Sequence, residues 1–122
     1  EVHPLSVSQA TANAERNGIT TAFFEQADVA AVLAERLKMT GSLLVDPPRK
    51  GLSAEALGAI LDGTPDRLAY ISCNPSTLAR DLQQLCGEEG GYRLETVQPV
   101  DFFPQTSHVE TLALLTHSGS AA

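Results

Sequence analysis

The sequence predicts an α/β fold: a mostly parallel sheet with helices on both faces, closed by a C-terminal antiparallel hairpin. Three observations predict it. First, Leu43-Leu44-Val45-Asp46 and Leu68-Ala69-Tyr70-Ile71-Ser72 are short apolar runs of the kind that form buried strands. Each stops at a proline turn, Asp46-Pro47-Pro48 and Cys73-Asn74-Pro75, because proline cannot donate to a ladder. Second, a helical pattern separates the two runs, which suits a parallel crossover. Third, Tyr92–Val100 and Val109–Thr116 read as strands with no helix between them, so they are expected as a hairpin at the sheet edge. Parallel pairing of the first two strands sends Asp46 and Cys73 out at one edge, the carboxyl end, where open α/β sheets bind ligands.

The elements follow in order. Pro4 suits the first turn of a helix over Leu5–Asn17, which Asn17-Gly18 stops. Ile19–Gln26, with Thr20, Thr21, Phe23 and Phe24, reads as a short strand. Asp28 caps a helix over Val29–Lys38 with Val29, Val32, Leu33 and Leu37 on one face. Ser53 caps the next helix, reaching Asp62 with Leu57, Ile60 and Leu61 inward, and Gly63-Thr64-Pro65-Asp66 is a turn. Asn74 and Pro75 supply an N-cap and a first-turn proline to a helix striped by Leu78, Leu82 and Leu85. Cys86 extends that stripe as a small buried hydrophobe. Gly87–Gly91 is an acidic loop, and residues 118–122 read as a disordered tail.

With 122 residues the chain is one domain or part of one. Eight basic residues against 15 acidic ones give a formal charge of −7, so the chain lacks the basic face of a typical nucleic-acid binder. Its two cysteines, without C-x-x-C spacing or a signal peptide, suggest a reducing, cytoplasmic setting. No run is long enough to cross a membrane. Three scattered histidines show no metal-ligand spacing, so no metal site is expected, and His3 and His117 are expected to be solvated.

Taken singly, the chemical candidates stay open. Asp46-Pro47-Pro48 also fits a plain strand-ending turn. Cys73 also fits a small buried side chain. His108 and Glu110 fall on the same side of an extended segment, which fits an exposed hairpin equally well.

Three stretches in this order and spacing narrow the choice: Asp46-Pro47-Pro48-Arg49-Lys50-Gly51, Ser72-Cys73-Asn74-Pro75-Ser76-Thr77-Leu78-Ala79-Arg80-Asp81, and Asp101-Phe102-Phe103-Pro104-Gln105-Thr106-Ser107-His108-Val109-Glu110. Together they resemble the RNA 5-methyluridine (uracil-C5) methyltransferase family, which is S-adenosylmethionine-dependent. The resemblance runs from Glu1 to Leu115. It implies a partial Rossmann-like class I methyltransferase fold, with residues 1–117 as the C-terminal portion of the catalytic domain.

The resemblance also implies roles. Cys73 would be the nucleophile and Glu110 the base. Asp46 would lie at the cofactor and target site, Glu1 would bind the cofactor ribose, and Asp28 would lie near the adenine, where residue type varies in the family. Uracil C5 is a poor nucleophile, and addition of a thiolate to C6 activates it. A base must then remove the C5 proton, and the target must leave its stack to be reached. The implied partner is ribosomal or transfer RNA.

The family's glycine-rich cofactor loop, its first two strands, an RNA-binding domain and, in some members, an iron–sulfur cluster would all lie upstream of Glu1. In that fold the first two strands separate the Thr21–Gln26 strand from the Asp46 strand. The chain is therefore expected to pair Thr21–Gln26 beside Leu43–Asp46, or to self-associate through an exposed sheet edge. Alone, it is expected to bind S-adenosylmethionine poorly and to be inactive. Three rival readings stand beside this one. An RNA cytosine-C5 methyltransferase commonly has a second cysteine near Asp46, absent here; an amino-group methyltransferase would need neither Cys73 nor Glu110; and a noncatalytic domain would need none of the three.

Overall fold

The computed structural model describes residues 1–119, and these divide into two compact units, Glu1–Val32 and the described residues from Leu33 onward. In the first unit, α1 (Pro4–Arg16) begins with proline in its first turn, where the missing N–H costs nothing. It ends at Asn17 and Gly18, whose φ of 67° is a left-handed value that glycine adopts without strain. The Ile19 N–H then reaches back to Ala14 O at 2.9 Å, satisfying a carbonyl of the last turn.

The strand expected at Ile19–Gln26 does not form. Residues 19–26 carry no regular secondary structure, and three hydrogen bonds tie the end of this stretch to the first residues. Ala27 N donates to Glu1 O (3.1 Å), Gln26 Nε2 to Val2 O (3.2 Å), and the terminal amine to Glu25 O (3.3 Å). Strand propensity measures how well side chains fit a half-buried pleated surface. Among the described residues no neighbouring strand supplies that surface, and Phe23 is 92% exposed.

Helix α2 (Val29–Leu37) starts where Asp28 Oδ1 accepts the Ala30 N–H at 2.8 Å, as an N-terminal acid should. Its buried residues are Leu33 and Leu37, which join the core of the second unit; Val29, expected on that face, is exposed.

The second unit holds β1 (Ser42–Val45), α3 (Ala54–Gly63), β2 (Arg67–Ser72), α4 (Pro75–Leu85), β3 (Tyr92–Val100) and β4 (Glu110–His117). Their sheet order is β1-β2-β4-β3. β1 and β2 are parallel, linked through α3, with Val45 opposite Tyr70. β4 runs antiparallel between β2 and β3, pairing Tyr70 with Ala113 and Ser72 with Thr111. A bulge at Glu95 shifts the β3–β4 register. β1 is an edge strand, so the expected pairing of Thr21–Gln26 beside it is absent among the described residues.

Local chemistry explains the helices of this unit. Ser53 Oγ accepts from Ala56 N at 3.2 Å and Asn74 Oδ1 from Ser76 N at 3.1 Å, each filling an orphan donor of the first turn. Alternation does the rest: Leu68, Tyr70 and Ser72 face inward with Thr111, Ala113 and Leu115 across the ladder. Ile60 and Leu57 of α3 and Leu78 and Leu85 of α4 fill this one core, on one face of the sheet. On the other face Leu44 is 63% exposed.

This burial pattern predicts unequal costs. Ile60→Ala should remove about 2–5 kcal/mol of unfolding free energy, whereas Leu44→Ala should stay within about 0.5 kcal/mol. Urea unfolding measures both, and equal losses would contradict the core assignment.

Candidate functional site

The candidate site grows from the ends of two parallel strands. β1 stops after the buried Val45, and Asp46 is exposed at its carboxyl end. Pro47 and Pro48 stiffen the exit, and a turn closes with Gly51 N donating to Pro48 O at 2.8 Å. Gly51 has φ +80°, and a Cβ placed there would lie 2.6 Å from Asp81 Oδ2 and from Arg80 Nη2. Only glycine fits that seat.

β2 stops at Ser72, whose buried hydroxyl ties off the turn around the next residue. Ser72 Oγ donates to Asn74 O (3.0 Å) and accepts from Asn74 N (3.1 Å). Cys73 sits inside this turn as a half-buried free thiol, directly before the α4 cap. Glu110, half-buried, opens β4 opposite Val100 of β3. It lies one step beyond the Ser72–Thr111 pair, so the register sets it across from Cys73. Asp46, Cys73 and Glu110 therefore share one edge of the sheet.

A network binds the Asp46 loop to α4. Asn74 Nδ2 donates to Arg49 O at 3.1 Å. Thr77 Oγ1 lies 3.1 Å from both Arg49 O and Asn74 O, and its single proton serves one at a time. Arg80 Nη2 donates to Lys50 O at 3.0 Å. Beneath them is Asp81, fully buried, with Oδ2 accepting from Tyr70 OH (2.6 Å) and Leu52 N (2.9 Å). Its Oδ1 accepts from Arg80 Nε (2.8 Å) and Nη2 (2.6 Å). Burial, then the hydrogen bond to Asp81, push the Tyr70 phenol up from its ordinary value.

One signal of this network is present in the sequence. Asp81 falls three residues after Leu78 and four before Leu85, on the apolar stripe of α4, where an unpaired acid would be costly.

The cofactor candidates belong to the first unit. Glu1 is exposed and accepts the His3 N–H at 2.8 Å, and that bond leads the causes that hold its carboxyl below the usual range. It lines a recess of about 380 Å³ with Ser6, Val7, Phe23 and Phe24 among its walls. Asp28 lies one residue beyond Ala27, whose N–H bonds the Glu1 carbonyl, so these two acids are neighbours. Carboxylate oxygens are acceptors, which suits recognition of hydroxyl or amino donors. A larger trough of about 500 Å³ lies at the amino ends of β1 and β2, lined by Leu44, Ala69 and Leu114. That is the edge away from Asp46 and Cys73, and its lining includes no cysteine or histidine.

Other expected residues fall differently. Cys86 is exposed, because α4 ends at Leu85 and Cys86 adopts the non-helical cap conformation, which takes it off the buried stripe. Partial desolvation pushes its thiol up, which lowers its thiolate fraction. His117 is half-buried, its ring edge-on to Tyr92 with centroids 5.1 Å apart, and its Nδ1 accepts from Gly119 N. His108 is exposed, its ring 6.2 Å from that of Phe103 in the loop before β4. Residues 118 and 119 of the expected tail form a turn, and 120–122 lie outside the described residues. Among the described residues no group of three His, Cys, Asp or Glu could hold a metal ion, and no helix is long and apolar enough to cross a membrane.

Comparisons with known proteins bear on this geometry. A family model described as tRNA (uracil-5-)-methyltransferase matches residues 23–118. The chain is 51% identical over 116 residues to an uncharacterized RNA methyltransferase of Parasynechococcus marenigrum, covering 94% of this chain and 25% of that protein. It is 52% identical over 118 residues to another from Thermosynechococcus vestitus, covering 97% and 26%. The chain thus spans about a quarter of the length of the curated relatives it matches. Among solved structures it is similar to the Pyrococcus abyssi tRNA (uracil-54, C5)-methyltransferase in complex with S-adenosyl-L-homocysteine. The TM-score is 0.79 at 31% identity, over 95% of this chain and 27% of that one. An rRNA methylase from Streptococcus thermophilus, at 15% identity and TM-score 0.68 over 96% and 70%, shares the fold.

The buried phenols set the alkaline stability. Burial, then the charge of Asp66, push Tyr92 up to about 12, and Tyr70 shifts in the same direction. An unfolded tyrosine loses its proton near pH 10. Between about 10 and 12 the folded state therefore binds more protons, and stability falls as pH rises, having been fully present below pH 10. Urea midpoints from about pH 9 to about pH 12 should drop, and less steeply in Tyr92→Phe. An unchanged slope in that variant would contradict the assignment.

Proposed function

Because the chain belongs to the tRNA (uracil-5-)-methyltransferase family, we propose that residues 1–117 are the C-terminal portion of the catalytic domain of an enzyme that methylates C5 of a uridine in RNA. What carries this reading is the shared edge at which a half-buried thiol, Cys73, and two carboxylates, Asp46 and Glu110, leave the sheet.

The proposed chemistry assigns each group one task. The Cys73 thiolate adds to C6 of a uracil drawn out of its stack, and the C5=C6 electron pair moves into an enolate that makes C5 nucleophilic. S-adenosylmethionine, when bound, supplies the methyl group that C5 accepts. Glu110 then takes the C5 proton, the C5=C6 bond re-forms, and the Cys73 sulfur leaves with its electron pair. Asp46, held on the stiff Pro47-Pro48 exit, borders both the cofactor and the target. Glu1 and Asp28 offer the acidic oxygens for the ribose hydroxyls and the adenine of the cofactor. RNA is the proposed partner, gripped chiefly by the rest of the polypeptide, since this chain carries a charge of −7. Alone, the chain is proposed to be inactive.

RNA carrying 5-fluorouracil tests the assignment in the full-length enzyme, because fluorine at C5 blocks the proton-removal step and traps the adduct. Cys73→Ala should abolish both trapping and methylation, while Cys86→Ala keeps most of each. On natural RNA, Glu110→Gln should slow turnover by about 10²–10⁴-fold and accumulate a covalent protein–RNA species on a denaturing gel. Comparable activity in the two cysteine variants, or normal turnover without adduct in Glu110→Gln, would remove these roles.

A further inference from the structure

We propose that Asp81 is a positioning residue that sets the Asp46 loop against the turn holding Cys73; this deepens, and rests on, the reading just given. Its carboxylate collects donors from three separate segments. Tyr70 comes from β2, three residues before Cys73; Leu52 comes from the loop, six residues after Asp46; and Arg80 comes from α4 itself. One buried group thus joins the strand that delivers the thiol, the loop that delivers the carboxylate, and the helix that starts between them.

The geometry leaves the loop little freedom. Gly51 seats its backbone directly on Asp81 and Arg80, so the height of the loop above α4 is set by that carboxylate. Arg49 and Lys50 are drawn down onto α4 through Asn74, Thr77 and Arg80. Pro47 and Pro48 pass this constraint back to Asp46 with few free torsions. A leucine in place of Asp81 would continue the stripe of Leu78 and Leu85, and buried ion pairs are often replaced by apolar side chains without loss of stability. Direction is what the carboxylate adds. Reacting groups tolerate little displacement, since a misplacement of about 1 Å can cost about 10²-fold in rate.

The test uses the full-length enzyme with Asp81→Asn, which keeps the volume but turns a donor toward groups that are themselves donors, and Asp81→Leu, which keeps the stripe. Single-turnover capture of saturating 5-fluorouracil RNA reads the chemical step; fluorescence anisotropy reads RNA affinity, and circular dichroism reads the fold. The expected result is capture slowed by about 10²-fold, with RNA affinity within about threefold of the unsubstituted enzyme. Wild-type capture rates in either folded variant overturn the positioning role. Loss of fold in both overturns it as well, since Asp81 would then be a stability residue. Absence of capture by the unsubstituted enzyme overturns the reading of Cys73, and the positioning role with it.

Discussion

One buried carboxylate ties the loop after Asp46 to the strand before Cys73 and to α4. Asp81 has no solvent exposure, so each of its oxygens must find donors inside the protein or the fold would carry an unpaired charge. Four donors meet that need, and no buried side-chain polar atom among the described residues is left without a partner. Because those donors come from β2, from α4 and from the loop after β1, satisfying the charge also fixes three segments that sequence keeps far apart. Low exposure and full satisfaction reinforce each other: hydrogen bonds are stronger where water is excluded, and a partly filled network would be worse than none.

The sheet order supplies the second constraint. A parallel β1–β2 pair brings the carboxyl ends of two strands to one edge, a familiar place for chemistry in α/β folds. The insertion of β4 beside β2, ahead of β3, then adds the start of an antiparallel strand to that same edge. Opposite strand directions are what allow Glu110, at a strand's beginning, to stand across from Cys73, at a strand's end. The exposed loop between β3 and β4 joins this edge through Glu110, with Phe102 and Phe103 on its surface.

Much of this was legible in the residues because it rests on local chemistry. Ser53 and Asn74 cap the helices they precede, Pro4 and Pro75 occupy first turns, and the two apolar runs form neighbouring parallel strands. What could not be read depends on partners distant in the chain. Ile19–Gln26 has strand-like composition, yet a ladder requires a neighbour and none pairs with it among the described residues. Cys86 missed burial because the helix stops one residue earlier, and His117 meets Tyr92 through a strand register that composition does not encode. The proposed site divides in the same way. Asp46 and Cys73 stand out at strand ends, whereas the approach of Glu110 depends on which hairpin strand pairs with β2, and the role of Asp81 depends on three segments meeting.

The most direct test of the central claim, that Cys73 attacks the RNA at this edge, is peptide mapping of the covalent adduct formed with 5-fluorouracil RNA. Trypsin separates the two cysteines, placing Cys73 on the peptide spanning residues 68–80 and Cys86 on the one spanning 81–93. Nucleotide mass on the 68–80 peptide, at Cys73, is the expected result. Mass on the 81–93 peptide, or a captured RNA attached to neither cysteine, would contradict it.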